Sequence, residues 1–417
     1  MKSLGIILLA LLIHVAAPAQ ALEDLYKNRQ YFELRDAVRN PSTSKQTDYL
    51  FYKAVVANRF NDPKASIVSL QKFLKRQKAG SDLAKEAYEI LADNYVKTHE
   101  YAKAAETYRY LGGKYKTPDD LSPEAAYANS AGLWGALANA AAQTVVVKTD
   151  TTIQGTRDKA RLLNVPVDIS GQKMDFIFDT GANLSTMSVS TANKLGLNII
   201  ESDVTVGSST ENRVKSKLAV APELRLGGIV VRNAIFLVLE DAALSFPQID
   251  YKINAILGFP VMMGFGKMTL TKDDKIAVSV KKDKTVLGPN MLLDGLMPVV
   301  EGEHNGKRMA FTFDTGAVRS KFYALFYESL GDEAKSSALP HTIRSGGAGG
   351  ITETPGYKMK DVQLIIGGKT AHFKEIEVIS EKTSERSRVF YGNLGQDLIK
   401  QYDKMTIDFR AMRLTYE

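Results

Sequence analysis

The sequence contains no cysteine, and this absence removes several kinds of chemistry. Without a thiol there is no disulfide, no cysteine nucleophile, no zinc–thiolate site and no cysteine to carry a lipid anchor. Histidine is also scarce, and its copies show no spacing typical of a metal site. They are His14, His99, His304, His341 and His372. No G-x-S-x-G stretch and no phosphate-binding loop occurs either. We expect neither a metal nor a cofactor.

Charged residues are numerous, but the two signs are mixed. The chain has 417 residues, 44% of them hydrophobic and 24% charged, which is the balance of a soluble globular protein with two or three domains. The formal net charge is +7, yet Lys and Arg alternate with Asp and Glu almost throughout. A nucleic-acid-binding protein would gather its basic residues into a stripe. The densest cluster, KKDK at residues 281–284, is better interpreted as a solvated linker. No nucleic-acid partner is expected.

The amino terminus has the pattern of an export signal. Lys2 supplies a positive charge, and residues 4–17 form an apolar stretch that is too short for a comfortable membrane span. Small residues follow and would permit cleavage after Ala19 or Ala21. We expect residues 1–21 to be a signal peptide and the mature protein to be periplasmic or secreted, in a bacterium. The alternative is an uncleaved membrane anchor; no later stretch is apolar enough to cross a bilayer.

From residue 22 to residue 142 the sequence favours α-helices. Residues 83–111 place apolar side chains three and four apart with charges between them, and residues 62–74 resemble the second half of that stretch. Helix pairs that repeat about every 34 residues are the signature of tetratricopeptide repeats, and this region looks like a degenerate version. Such a repeat would offer a surface for a protein partner. Its aromatic residues are expected to be core.

A ten-residue motif occurs twice in the rest of the chain. The first copy, FIFDTGANLS, spans residues 176–185, and the second, FTFDTGAVRS, spans residues 311–320. In each copy two Phe residues flank a middle residue, and Asp-Thr-Gly-Ala follows. An acid placed directly after a buried-looking strand is an unusual choice for packing. Two such acids in one chain suggest a pair that works together.

The match between the two halves extends beyond this motif. Each motif ends a predicted β-hairpin, one turning near residues 170–171 and the other near residues 305–306. Downstream, residues 255–270 parallel residues 392–407, so that Leu-Gly and Lys-Met-Thr recur at one offset. A single Asp-Thr-Gly is weak evidence. Two copies with matched partners at matched spacing indicate a duplicated lobe.

The region from about residue 144 to the end resembles the aspartic proteases. Each lobe is similar to a retroviral-type (retropepsin-like) subunit, and the two are fused in one chain as in the pepsin family. The marks of the family are a hydrophobic strand leading into Asp-Thr-Gly, and two hydrophobic or small residues and Gly from a later strand. The later motif reads Ile-Leu-Gly at residues 256–258 and Asn-Leu-Gly at residues 393–395. Asn393 departs from the hydrophobic pattern.

The resemblance implies a catalytic pair formed by Asp179 and Asp314. Two carboxylates a few ångströms apart cannot both ionise cheaply, so the pair holds one proton and titrates as a unit. The ionised member can take a proton from a water held between them. The protonated member can donate to the peptide carbonyl as the tetrahedral intermediate forms. The motif does not indicate which aspartate carries the proton.

The neighbours of the two acids are expected to support them. Gly181 and Gly316 would let the backbone approach the pair and donate N–H groups to it. By analogy with the family, Thr180 and Thr315 bond across the axis and lock the two loops together. The simpler alternative, in which each Asp-Thr-Gly is only an exposed turn after a strand, leaves the duplicated spacing unexplained.

A protease of this kind also needs a flap that covers the peptide and excludes water. Residues 345–352 (SGGAGGIT) resemble the glycine-rich flap tip of retroviral proteases. The candidate flap residues are Gly346, Gly347, Ala348, Gly349 and Gly350. The matching stretch of the first lobe, residues 204–213, has Gly207 as its single glycine. We predict that the second lobe supplies the working flap; the alternative is an ordinary glycine-rich loop.

Together these patterns predict a multidomain protein, with an all-α helical repeat followed by an all-β, bilobed acid-protease fold. The expected boundaries are a signal peptide at 1–21, the repeat domain at 22–142, a first lobe at 143–284 and a second lobe at 285–417. The predicted function is cleavage of a peptide or protein substrate by an exported aspartic endopeptidase that is active as a monomer. Two alternatives stay open. One is a peptide-binding or scaffolding protein that lost turnover, and the other is a protein whose functional part is the helical repeat.

Overall fold

The amino-terminal part of the chain is helical, and the remainder is built mainly from β-strands. The computed structural model describes residues 22–40, 43–44, 48–77, 82–115, 123–207, 213–281, 288–347, 350–382 and 384–417. The predicted signal peptide lies outside these residues. A helical region followed by a large β-rich region agrees with the predicted multidomain architecture.

Each helix of the amino-terminal part packs against the next one along the chain. A local signal sets the start of the fourth helix, where the Asp62 carboxylate accepts a hydrogen bond from the backbone N–H of Ala65 at 3.1 Å and Pro63 opens the first turn. These helices permit the predicted tetratricopeptide-like repeat, which stays a prediction. The helices are α1 (Leu22–Lys27), α2 (Tyr31–Val38), α3 (Tyr49–Arg59), α4 (Pro63–Leu74), α5 (Asp82–Lys97), α6 (Tyr101–Lys114) and α7 (Pro123–Ala136).

The first part of the β-rich region forms one lobe, with short helices at the ends of some strands. Its strands are β1 (Thr144–Val147), β2 (Thr151–Gln154), β3 (Thr156–Arg157), β4 (Leu163–Ile169), β5 (Gln172–Asp179), β6 (Ser185–Ser188), β7 (Ile199–Gly207), β8 (Arg213–Leu226), β9 (Ile229–Leu239), β10 (Ser245–Phe246), β11 (Tyr251–Lys252), β12 (Ala255–Gly258), β13 (Lys267–Thr271) and β14 (Lys275–Val278). Its helices are α8 (Val189–Lys194) and α9 (Phe259–Met263), with single 3-10 turns at Asp241–Leu244 and Pro247–Ile249.

The second part of the β-rich region forms the other lobe. Its strands are β15 (Met291–Asp294), β16 (Met297–His304), β17 (Lys307–Phe313), β18 (Lys321–Phe322), β19 (Leu339–Gly347), β20 (Gly350–Ile366), β21 (Lys369–Ile379), β22 (Gly392–Leu394), β23 (Lys404–Asp408) and β24 (Arg413–Tyr416). Its helices are α10 (Ala324–Glu328), α11 (Asp332–Ser336), α12 (Glu385–Val389) and α13 (Gln396–Ile399).

The two lobes share most of their strand pairing. The first-lobe pairings β9–β6, β6–β12, β12–β5, β5–β4, β4–β8, β8–β7 and β9–β8 recur in the second lobe as β21–β18, β18–β22, β22–β17, β17–β16, β16–β20, β20–β19 and β21–β20. The edge strands differ, because β1 pairs with β9 whereas β15 pairs with β16. The strand that ends at the first aspartate, β5, pairs in parallel with β12, and its counterpart β17 pairs in parallel with β22. The duplication seen in the sequence is therefore also a duplication of topology.

Both hairpins predicted from the sequence are present. Residues 170–171 join β4 to β5, and residues 305–306 join β16 to β17. The turn residues Ser170, Gly171, Asn305 and Gly306 all have positive φ angles, between 49° and 80°. Paired positive angles are those of a type I′ turn, whose twist matches that of the flanking strands.

A third sheet joins the two lobes, with strand order β2-β14-β13-β23-β24. At its centre β13 of the first lobe pairs with β23 of the second in antiparallel register. Thr269 lies opposite Thr406, its own counterpart in the duplication, and their hydroxyls are 2.8 Å apart. A residue that meets its own equivalent lies on a twofold axis. The two lobes are therefore related by a pseudo-twofold axis through this sheet.

The helical region packs against both lobes. Phe51, Leu70 and other helical residues share an apolar cluster with Met297 and Phe390 of the second lobe. A separate cluster joins Trp134 of α7 to Leu218 and Ile235 of the first lobe. The helices thus lie across the lobe pair. Within the described ranges, no helix combines the length and the apolar character needed to cross a bilayer.

Candidate active site

The two Asp-Thr-Gly motifs form short loops at the ends of matching strands. Phe178 and Phe313, which precede the two aspartates, are fully buried and anchor the ends of β5 and β17. Gly258 of β12 lies opposite Asp179, and the backbone N–H of Asp314 donates to the carbonyl of Leu394 in β22 at 2.9 Å. Each loop is therefore held by a core strand and by the later strand that the sequence pairs with it.

Two buried threonines link the loops across the pseudo-twofold axis. The Thr180 hydroxyl donates to the carbonyl of Phe313 at 2.9 Å and accepts from the N–H of Thr315 at 3.0 Å. The Thr315 hydroxyl donates to the carbonyl of Phe178 at 2.7 Å and accepts from the N–H of Thr180 at 2.9 Å. The arrangement has the form expected from the resemblance. Because both threonines are fully buried, these four bonds have no competing water.

The two carboxylates share one confined space. The Gly181 N–H donates to Oδ1 of Asp179 at 2.7 Å, and the Gly316 N–H donates to Oδ1 of Asp314 at 2.8 Å. A methyl group added to Gly181 would lie 2.5 Å from Cγ of Asp314, and one added to Gly316 would lie still closer to Cγ of Asp179. Each aspartate is therefore packed against the glycine of the opposite loop. The structure brings the predicted pair and its predicted supports to one point.

The electrostatics of this space favour a shared proton. Burial raises the pKa of Asp179 well above its usual range, and the charge of Asp314 and a hydrogen bond to its carboxyl raise it further. The backbone N–H groups of Gly181 and Ala182 act in the opposite direction but do not reverse the effect. A carboxyl group that resists ionisation beside a second carboxyl group is the condition for acid and base roles within one pair.

Two serines support the loops and were not singled out from the sequence. The Ser185 hydroxyl accepts from the N–H of Gly258 at 3.0 Å, and the Ser320 hydroxyl accepts from the N–H of Gly395 at 2.9 Å. A side chain on either glycine would collide with the neighbouring backbone. The signal was available, because both serines are the last residue of the duplicated ten-residue motif.

Residues 165–261 match the aspartyl protease family. The matched segment contains Asp179 and Gly258, the strand-end pair of the first lobe. No curated protein matches the chain. The second lobe lies outside the segment matched to the aspartyl protease family, and its resemblance to the first rests on the duplicated strand order and on the reciprocal threonine bonds.

The predicted flap lies at the tip of a hairpin in the second lobe. Gly346 and Gly347 end β19, and Gly350, with a φ of 116°, begins β20. Ala348 and Gly349 lie outside the described residues. Next to the tip, the Lys321 ammonium of β18 donates to the Ser345 hydroxyl of β19 at 2.6 Å, and this contact stays within the second lobe.

The matching hairpin of the first lobe, β7–β8, is bonded to the helical region. The Asn129 side chain of α7 donates to the carbonyl of Thr205 at 2.7 Å and accepts from the N–H of Thr205 at 2.8 Å. Next to this contact, a methyl group on Gly132 would lie 3.2 Å from Val204, so α7 also packs closely on the strand. The two hairpins therefore have different surroundings.

Proposed function

We propose that this protein is an aspartic endopeptidase that cleaves peptide bonds with Asp179 and Asp314 as its catalytic pair. The observation that carries the proposal is the reciprocal packing of the two aspartates, each against the glycine of the opposite loop. The threonine bonds between the loops and the aspartyl protease match in the first lobe support the same chemistry.

In the proposed reaction a water bound between the carboxyl groups attacks the peptide carbonyl carbon. The ionised aspartate takes one proton from the water, and the protonated aspartate gives its proton to the carbonyl oxygen, so a neutral tetrahedral diol forms. The proton taken from the water then passes to the leaving nitrogen as the carbon–nitrogen bond breaks, and a hydroxyl of the diol returns its proton to the other aspartate as the product carboxyl group forms. The pair ends with one proton, as it began. No covalent intermediate forms with the protein.

We propose further that the enzyme is exported and acts as a monomer. Export is supported by the charged and apolar pattern of residues 1–21. The monomer is supported by the location of both aspartates on one chain, joined by the shared sheet of β13 and β23. A second copy of the chain is not needed to complete the pair.

A peptide library offered to the purified protein from acid to neutral pH tests this function. We expect cleavage of internal peptide bonds, and inhibition by a statine-type compound that mimics the tetrahedral intermediate. Such mimics bind active enzymes about 10²-fold or more tightly than substrates do. The control is Asp179→Asn protein prepared in the same way, which excludes contaminating proteases. Peptide binding without cleavage, and no preference for the statine compound, would favour the binding protein instead.

The second-lobe hairpin is our proposed working flap. The first-lobe hairpin is bonded to α7 through Asn129, so its movement is restrained by the helical region. The second-lobe hairpin carries Gly346, Gly347 and Gly350, and glycine permits more backbone conformations than any other residue. A flap that must open and close requires such freedom.

Stiffening the second-lobe tip is expected to impair binding and turnover together. Replacing both Gly346 and Gly347 by Val should raise KM and lower kcat, with a fall in kcat/KM of about 10- to 100-fold. Gly207→Val is the matched control, because Gly207 ends β7 at the same place in the first lobe and has free space around it. Steady-state kinetics on one peptide give the comparison. A larger loss in Gly207→Val would assign the flap to the first lobe.

A further inference from the structure

The two lobes differ in the pair of residues that lies beside each aspartate. In the second lobe, Thr312 of β17 lies opposite Asn393 of β22. At the matching positions of the first lobe, Ile177 of β5 lies opposite Ile256 of β12. The threonine bonds, the bond from each loop glycine to its own aspartate and the close approach of each aspartate to the opposite glycine are shared by the two loops. A polar pair in one lobe and an apolar pair in the other make the surroundings of the two aspartates unequal.

The polar pair reaches the second aspartate directly. The Asn393 Nδ2 donates to Oδ2 of Asp314 at 3.1 Å, and the Thr312 hydroxyl donates to Oδ1 of Asn393 at 2.5 Å. The amide therefore lies between the threonine hydroxyl and the carboxylate, with its NH₂ group toward Asp314. A reversed amide would set an oxygen against the oxygen of Asp314 and lose the bond to it. Thr312 is almost fully buried, so its own orientation is set by packing.

Both oxygens of Asp314 consequently face N–H donors. Gly316 donates to Oδ1 and Asn393 donates to Oδ2. N–H donors directed at both oxygens favour the ionised carboxylate, because a proton on either oxygen would interfere with the hydrogen bond that this oxygen accepts. For Asp179, the backbone donors Gly181 and Ala182 both address Oδ1.

The surroundings of Asp179 are apolar on the equivalent side. Ile177 and Ile256 belong to a buried cluster that also contains Leu244, Phe246 and Ile253. Apolar neighbours favour the neutral form of a carboxyl group. The donors around Asp314 therefore favour a negative charge on that aspartate, and the apolar neighbours of Asp179 favour a proton there.

Two charged residues near the loops, Arg157 and Asp397, have hydrogen-bond partners of their own. Arg157 forms an ion pair with Asp274 and reaches the Thr315 loop only through the amide of Gln396. Asp397 accepts a hydrogen bond from the Ser320 hydroxyl. Asn393 differs from these groups because its side chain bonds directly to an aspartate of the pair.

We propose that Asn393 is a positioning residue that keeps the negative charge of the pair on Asp314 and leaves the shared proton on Asp179. The catalytic roles that follow rest on the proposed function. In that reaction Asp314 would be the base that activates water, and Asp179 would be the acid that protonates the carbonyl oxygen.

The first test locates the charge without using turnover. The protein is labelled with ¹³C at aspartate carboxyl carbons, and the two signals are assigned with the Asp179→Asn and Asp314→Asn variants. At the pH where the pair holds one proton, the ionised signal should belong to Asp314. In Asn393→Ile, which copies the first lobe, the ionised signal should be shared between the two. An ionised signal from Asp179 in the unsubstituted protein would overturn the inference.

The second test uses the pH profile of kcat/KM. Loss of an N–H donor to the ionised pair should move the acid limb of the kcat/KM profile to higher pH by about one unit. This shift corresponds to a tenfold change in the ionisation constant. We expect this shift in Asn393→Ile and Asn393→Ala, and a smaller shift in Thr312→Val, where the amide remains but loses its orienting bond. Ile256→Asn is the matched control and should not move the limb upward. Unshifted profiles in both Asn393 variants would refute the role.

The two tests separate this inference from the proposed function. If the unsubstituted protein cleaves no peptide but the carboxyl signals behave as expected, the endopeptidase proposal fails and the charge placement stands. If it cleaves peptides and the signals do not respond to Asn393→Ile, the endopeptidase proposal stands and the role of Asn393 fails.

Discussion

Asp179→Asn and Asp314→Asn are each expected to remove nearly all peptide cleavage. General acid–base groups contribute about 10²- to 10⁴-fold to a rate, and each substitution should lower kcat by at least that range. An amide can neither accept the proton of the attacking water nor deliver one to the carbonyl oxygen, so one half of the pair cannot compensate for the other. The measurement is kcat on a peptide that the unsubstituted enzyme cleaves.

Asp175→Asn is the matched control for this loss. Asp175 lies on the same strand as Asp179, but its side chain is exposed. The control should keep its activity. If either substitution in the pair left the rate close to that of the control, the two aspartates would not form one catalytic site.

The loss of activity in Asp179→Asn should come without a loss of stability at neutral pH. The folded protein raises the pKa of Asp179, so the folded state holds a proton that the unfolded chain releases above about pH 4. Stability therefore falls as the pH rises from that value through the raised pKa. Asn cannot ionise and escapes this fall. Its melting temperature should exceed that of the unsubstituted protein at pH 7, and the difference should shrink toward pH 4. A lower melting temperature at pH 7 would instead attribute the inactivity to unfolding.

The sequence predicts the duplicated part of this molecule well, because each copy of the pattern can be checked against the other. One Asp-Thr-Gly could be any turn, but a second copy with its own Leu-Gly partner fixes which strands must lie together. The hairpins at residues 170–171 and 305–306 follow from local turn chemistry, which needs no knowledge of the rest of the fold. Ser185 and Ser320 could have been found in the same way.

Features that break the symmetry are harder to predict. Asn393 is visible in the sequence as a departure from an apolar pattern, but its contact with Asp314 depends on the register of β17 against β22. The contact of Asn129 with Thr205 joins the helical region to a strand far along the chain, and no periodicity in either segment indicates it. Contacts between the helical region and the β-rich lobes depend on how the two pack together. Local sequence patterns predict the structure within each region, and they do not predict these contacts.

The glycines of the two loops are expected to tolerate no side chain at all. A methyl group at Gly316 would collide with the carboxyl carbon of Asp179, and one at Gly181 would meet that of Asp314 at 2.5 Å. Neither neighbour can retreat easily. Each Asp-Thr-Gly loop is held by the buried threonine bonds, and each carboxylate by backbone N–H groups.

Gly316→Ala should therefore push the loops apart and move the carboxyl groups out of reach of a shared water. Overpacking of this kind costs about 1–3 kcal/mol of stability, and a displacement of reacting groups by about 1 Å can cost 10²-fold in rate. We expect kcat to fall by roughly that factor or more in Gly316→Ala and Gly181→Ala. Gly331→Ala serves as the control, because Gly331 precedes α11 with an ordinary φ of −73° and has open space around it.

Paired measurement of kcat and melting temperature separates the two consequences of this collision. A variant that melts only a few degrees lower but has lost its turnover would support a site whose two halves must touch. If Gly316→Ala kept the turnover of the Gly331→Ala control, the carboxyl groups could act at a greater separation than this structure gives them. The shared-proton chemistry would then lose its basis, because proton sharing requires the two carboxyl groups to be in contact.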